Sequence, residues 1–209
     1  MHRDYLSRVT DTELPKHLAG EIAKKWGREY WDGDRRTGYG GYHYIPGYWK
    51  PLAERLIAEY DLTSSSKVLD VGCGKGFLLA ELLALLPGIC VQGIDISSYA
   101  VEHSHTSVRS AIQTGTCTLL PFDSNEFDLA ISLNVFHNLT APELELALVE
   151  FKRVSKKSYL VVETYGNEAQ KANLLYWQLT CEAFLRPEEW RWWFNLVGYD
   201  RDFEFIVFD

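Results

Sequence analysis

The apolar positions of this chain alternate between two periodicities, and that alternation lays out an order of elements. Short apolar runs occur at Val68-Leu69 with Val71, and at residues 90–95, 127–133, 158–164 and 202–208. Each has the length and composition of a buried strand. Between them the apolar residues recur at helical spacing. Residues 49–60 place Leu52, Leu56, Ile57 and Tyr60 on one side, with Pro51 in the first turn. A helix opens at Phe77 and stops at Pro87-Gly88, and Ser97-Ser98 caps another predicted to run to about Ala111. Thr140 and Glu143 have capping-box spacing and start a helix to about Val154. Residues 167–184 are rich in helix formers, and a last helix runs from Pro187 to a stop at Gly198. Strands alternating with helices predict an α/β fold around a mostly parallel sheet.

The two ends of the chain are patterned differently. Residues 1–30 read as one or two polar-faced helices. Residues 30–48 hold five glycines in nineteen positions, interleaved with Trp31, Tyr39, Tyr42, Tyr44 and Tyr48, which predicts a long aromatic loop. Such a loop can cover a pocket with flat, dry surface. With 209 residues and 46% apolar content, one domain spanning 1–209 is expected, with residues 1–50 as a helical and aromatic-loop lid.

Charge and cysteine content narrow the function classes. The net charge of −8 disfavours non-specific nucleic-acid binding. Residues 1–50 nevertheless carry nine Lys/Arg against seven Asp/Glu, so this is the net-positive part of an acidic chain. The four cysteines have no paired spacing, which fits a reducing compartment and neither a disulfide frame nor a zinc site. No apolar stretch approaches the ~20 residues of a membrane span, and the first residues carry no signal-peptide pattern. A cytoplasmic location without membrane attachment is the expectation. Asp32 and Asp34 lack further oxygen ligands nearby and read as a turn rather than a metal site. His103 and His105 face different sides of a helix and read as surface residues.

The chemistry concentrates at residues 67–76, Lys-Val-Leu-Asp-Val-Gly-Cys-Gly-Lys-Gly. A strand ends at Asp70, and Gly72, Gly74 and Gly76 turn the chain into a helix. Glycines there let backbone N–H groups approach a ligand that a β-carbon would push away. The next run ends in a second carboxylate, Asp95, placed to take two ribose hydroxyls. The spacing is G-x-G-x-G, tighter than the dinucleotide fingerprint G-x-G-x-x-G. Asp70, two residues ahead of the first glycine, would repel a pyrophosphate and attract an ammonium group. Ribose plus ammonium without pyrophosphate describes S-adenosylmethionine.

Through Val68–Gly76 and Gly93-Ile-Asp95 the sequence resembles the class I S-adenosylmethionine-dependent methyltransferases. More weakly, residues 39–48 are similar to small methyltransferases of bacterial surface-polysaccharide synthesis. The resemblance implies a three-layer, doubly wound Rossmann-like sheet of seven strands, or six where one of the last two is rudimentary. It implies a cofactor site formed by Asp70, Gly72, Cys73, Gly74, Gly76, Asp95 and Ile96. Thr116 and Cys117 would lie against the adenine, with Thr116 standing where relatives often carry an acid, and Asn134 would hold the amino-acid end. His137, in the loop after the fourth strand, is the expected base if one is needed, with Tyr42 and Tyr44 as alternates. Arg35 and Arg36, with Tyr39 and Tyr44, are the expected acceptor-binding residues, suited to a phosphate or carboxylate. Trp190, Trp192 and Trp193 are expected to pack the last helix. The expected activity is O- or N-methylation of a small anionic or nucleotide- or sugar-linked metabolite. The alternatives are an NAD-dependent oxidoreductase, which would need glycine where Phe77 stands, and a non-catalytic cofactor-binding protein.

Overall fold

The computed structural model describes residues 6–209; the signal-peptide reading at residues 1–5 lies outside them. Three short helices open the described chain: α1 (Ser7–Thr10), α2 (Lys16–Ala23) and α3 (Arg28–Trp31). Residues 32–49 form an irregular segment, and α4 (Lys50–Glu59) leads into β1 (Lys67–Val71) and α5 (Phe77–Leu85). Then follow β2 (Cys90–Asp95), α6 (Ser98–Glu102), β3 (Ile112–Thr114), β4 (Phe127–Leu133), α7 (Ala141–Arg153) and β5 (Ser155–Glu163). The chain closes with α8 (Glu168–Trp177), α9 (Pro187–Leu196) and β6 (Asp202–Ile206).

The strands form one six-stranded sheet in the order β3-β2-β1-β4-β5-β6, every neighbouring pair parallel. The strand alternation read from the sequence divides its side chains between two cores. Val68, Leu129, Ile131, Tyr159 and Val161 face α4 and α5, packing on Ala53, Leu56, Leu79 and Leu82. Leu69, Ala130, Leu160 and Val162 face α7 and α9, packing on Leu148, Phe151, Trp190 and Phe194. Burying both faces is what an all-parallel sheet requires, and the result is the three-layer Rossmann-like arrangement with six strands. Trp190 is fully buried while Trp192 is 58% exposed, so the tryptophans of α9 divide between core and solvent.

Order in the sheet places the ends of β1 and β2 side by side, with Asp70 opposite Gly93 and Val71 opposite Ile94. The point where the chain reverses its direction of winding, between β1 and β4, is where open α/β sheets bind ligands. Two helices are shorter than their sequence suggested, α8 ending at Trp177 rather than near Phe184. α6 ends at Glu102, not near Ala111, because Ser104 to Ser107 bond locally and to the β1–α5 loop. His105 N–H donates to Lys75 O at 2.9 Å, and His105 Nδ1 meets Ser107 Oγ at 2.8 Å. β5 starts three residues earlier than the apolar run, since its first residues extend the pairing with β4 from Phe127 onward.

Candidate functional site

Two carboxylates and a glycine loop make the floor of the site. Gly72, Gly74 and Gly76 all have positive φ, and at Gly74 the need for glycine is explicit. A β-carbon there would lie 2.8 Å from Trp31 Cη2 on a left-handed backbone. The loop is pinned from below, with Gly72 N–H and Cys73 N–H both donating to Ile94 O at 2.7 and 3.2 Å. Asp95 accepts from Gly74 N–H at 2.7 Å and from Ser97 N–H at 2.8 Å. Burial raises its carboxyl pKa, and these two N–H bonds oppose that rise. Each Asp95 oxygen keeps a further lone pair for a hydroxyl donor.

Asp70 is the unusual group. It is buried, and no hydrogen bond reaches its carboxylate among the described residues. Burial, with Asp95 adding to it, pushes its pKa to about 7. A buried anion without a partner is costly, and a cation placed against it would remove that cost.

The remaining residues expected to hold a cofactor gather around this pair. Ile96 follows Asp95 and is 59% exposed. Gly115 N–H donates to Asp95 O at 2.9 Å, which carries Thr116 and Cys117 to the same sheet end. Thr116 Oγ1 lies 2.8 Å from Thr118 Oγ1 in a local turn. Asn134, at φ +59°, leaves β4 as an exposed residue, its N–H held by Val161 O at 2.9 Å. The Cys73 side chain belongs to the core on the α5 side, so this residue offers the site its backbone alone.

The aromatic segment lies across the loop. Trp31 is buried, donates from Nε1 to Ser97 Oγ at 2.9 Å, and stacks on Tyr39 with ring centroids 5.5 Å apart. Tyr42 stacks on Phe77 at 5.0 Å, and burial pushes its phenol pKa well up, so the hydroxyl stays protonated. Asp32, read from the sequence as part of a turn, anchors the segment. It accepts from Lys75 Nζ at 2.8 and 2.6 Å, from Tyr99 OH at 2.9 Å and from Tyr42 N–H at 3.0 Å. Burial alone would raise the Asp32 pKa, but these bonds outweigh it and bring the carboxyl to about 2. The sequence signal was the lysine between two loop glycines, which lacked a visible partner 43 residues away.

Four of the expected catalytic and acceptor-binding residues are engaged within the protein itself. His137 is 2% exposed and packed under the loop after β4, with Glu163 N–H near its Nδ1 at 3.4 Å and Glu163 Oε2 3.6 Å from Nε2. Burial holds its pKa to about 3, so it is neutral and a weak base. Tyr42, its alternate, has its phenol pushed well up by burial and so keeps its proton. Tyr44 packs on α5, donating to Glu81 Oε1 at 2.7 Å and meeting the Phe77 ring at 5.5 Å and the His105 ring at 4.5 Å. Arg36 is neutralised at the surface by Asp34 at 2.8 Å and by Asp11 and Glu13 at 3.5 Å. Arg35 remains beside the aromatic cluster, near Tyr39 and over the Trp177 ring at 5.0 Å.

Comparison with known proteins bears on the same region. Residues 68–158 match the methyltransferase-domain family. Over 108 residues the chain is 34% identical to a ribosomal RNA small subunit methyltransferase C of Buchnera aphidicola, covering 50% of this chain and 31% of that protein. Over 131 residues it is 28% identical to a malonyl-[acyl-carrier protein] O-methyltransferase of Legionella pneumophila, covering 60% of this chain and 45% of that protein. The chain thus spans less than half the length of both relatives. The crystal structure of the YcgJ protein of Bacillus subtilis shares the fold, with a TM-score of 0.52 at 20% identity over 69% of this chain and 66% of that one.

Proposed function

We propose that residues 68–158, which match the methyltransferase-domain family, form a class I S-adenosylmethionine-dependent methyltransferase domain, and that the chain methylates an oxygen or nitrogen of a small acceptor. The observation that carries the reading is the pairing of Asp70 and Asp95 at the ends of adjacent parallel strands, beside a loop of three positive-φ glycines. The residues fit the cofactor: Asp70 is a carboxylate 4% exposed with no hydrogen bond among the described residues, suited to a cationic amino group, and Asp95 has acceptor capacity for ribose hydroxyls. S-adenosylmethionine supplies a methyl group already activated on a sulfonium.

The protein's own part is binding, orientation and exclusion of water. Asp70 holds charge, Asp95 fixes register, and Ile96, Thr116 and Cys117 offer a flank for a flat base. Trp31, Tyr39 and Tyr42 cover the loop as a lid and keep the reacting atoms dry. Alignment of this kind can supply about 7–11 kcal/mol of a barrier, which matches a site whose buried histidine is a poor base. Residues 6–50 then act as a lid on the same domain rather than as a separate one. An acidic chain whose aromatic segment lies close over the loop favours a small acceptor over a polynucleotide.

Isothermal calorimetry with S-adenosylmethionine and with NAD+ tests the reading. Binding of the first and not the second supports it; the reverse result replaces it with the oxidoreductase. Methyl transfer from labelled cofactor to a metabolite panel separates an enzyme from a cofactor-binding protein.

A further inference from the structure

A second cluster of charge lies on the other side of the aromatic lid, and nothing in the cofactor site uses it. Arg8 of α1 donates to three carbonyl oxygens: that of Trp177, and those of Arg35 at 3.3 Å and Gly38 at 3.4 Å. Arg35 donates to Gly38 O. Both guanidinium groups border one indole, at 4.6 Å for Arg8 and 5.0 Å for Arg35 from the Trp177 ring centroid. Lys16 of α2 reaches Gln178 O in the next residue along and feels the charge of Arg8. Every one of these partners is a neutral carbonyl. Among the described residues no carboxylate forms an ion pair with Arg8, Arg35 or Lys16, whereas neighbouring Arg36, Lys24 and Lys75 each have one.

These cations have no ion-pair partner among the described residues, and Arg8 feels the like charge of Arg35. Burial and then the like charge of Arg35 lower the Arg8 pKa to about 10. A purely structural arrangement would gain by placing an acid here, as the chain does for Arg36. The cluster also joins the cofactor loop through stacked rings. Arg35 lies next to Tyr39, Tyr39 stacks on Trp31, and Trp31 covers Gly74.

We propose that Arg8 and Arg35, flanked by Lys16, bind a phosphoryl group of the methyl acceptor, so that the substrate is a small phosphorylated metabolite. The proposal rests on the methyltransferase reading for the word acceptor, and on the cation cluster alone for the phosphoryl group. A dianion is favoured over a carboxylate because Arg8 and Arg35 border one indole and present two positive charges to one ligand. Two guanidinium forks also match phosphate oxygens in bidentate fashion.

The test is calorimetric titration of the whole chain with inorganic phosphate, pyrophosphate, acetate and a short single-stranded RNA at fixed ionic strength. Wild type, Arg35→Gln, Arg8→Gln and Arg36→Gln are compared. Phosphate or pyrophosphate should bind the wild type and Arg36→Gln alike, and bind Arg35→Gln about tenfold or more weakly, the scale for losing one charge-assisted pair. Arg35 is exposed, so its variant stays interpretable if Arg8→Gln folds poorly. Absence of phosphate and pyrophosphate binding at millimolar concentration, unchanged binding in Arg35→Gln, acetate binding as tightly, or RNA binding more tightly would each overturn the proposal. S-adenosylmethionine affinity measured on the same samples should not differ between the wild type and Arg35→Gln. Failure of the wild type to bind that cofactor would remove the methyltransferase reading and leave the phosphate result standing separately.

Discussion

Lys75 Nζ lies 2.6 Å from Asp32 Oδ2, with the lysine side chain 5% and the aspartate side chain 17% exposed. One partner belongs to the glycine loop and the other to the aromatic segment that covers it, so this pair fastens the two together. Lys75→Met leaves a largely buried anion and should destabilise the fold by about 3–5 kcal/mol, the cost of breaking a buried pair from one side. Asp32→Asn combined with Lys75→Met should recover part of that loss. Urea unfolding measures both, and proteolytic nicking within residues 32–48 should accelerate in the single variant. A Lys75→Met protein with wild-type stability would show that the pair does not hold the segment.

Asp95→Ala should weaken S-adenosylmethionine by about 2–4 kcal/mol, the scale for losing charge-assisted hydrogen bonds. Calorimetry on a variant with a wild-type circular dichroism spectrum gives the number. Unchanged affinity would detach Asp95 from ribose recognition.

Asp70 gives a pH dependence with a defined sign. Its folded pKa of about 7 lies above the ordinary aspartate value of 3.8, so the folded state holds the proton more tightly than the unfolded one. Its contribution to stability is therefore full below the unfolded value and is lost as pH rises through about 7. Asp70→Asn should raise Tm at pH 8 and change it much less at pH 5. Cofactor affinity should move the opposite way, strengthening as Asp70 ionises between pH 6 and 8, and the Asn variant should lose that dependence. A wild-type affinity that is flat across this range would sink the assignment of Asp70 to a cationic group.

His137 is lowered to about 3 by burial, so the unfolded chain takes up its proton first. The stability tied to its neutral form is complete above about 6.5 and falls away as pH drops toward 3. His137→Gln should flatten that acid limb of the Tm curve. In methyl transfer the variant should keep the wild-type pH profile of kcat, because a histidine held neutral throughout the working range adds no ionisation to it. Loss of turnover by about 10²–10⁴ with a changed pH profile would restore His137 as a base.

The strand ends were legible because chemistry and hydrophobic pattern coincide there. Val68, Leu69 and Val71 mark a buried strand, and Asp70 inside that run stands out as an acid in an apolar context. The segments before residue 50 were less legible, for physical reasons. α1 is a four-residue helix with no buried side chain, too short for a periodic signal, so Arg8 gave no hint of its place beside Arg35. Arg36 resembled Arg35 in sequence, and the presence of Asp11 and Asp34 around one and not the other is a tertiary fact. His137 looked accessible because loops after strands usually are. Its burial comes from residues 180–183, whose backbone closes on it through the Glu182 and Ala183 N–H bonds to His137 O, both 2.9 Å.

The contact of Trp31 with Gly74 has a thermodynamic consequence. Gly74 N–H is already spent on Asp95, so the covering ring, the loop backbone and the Asp95 carboxylate form one mechanical unit. A ligand bound on one side of this unit that shifts the Trp31 ring also shifts the Gly74 backbone and Asp95, and with them the hold on a ligand bound at the other side. By reciprocity the second ligand alters the first by the same factor. Measured separately and then together, the two affinities should therefore fail to add, and the size of that discrepancy is the free energy stored in the Trp31–Gly74–Asp95 connection.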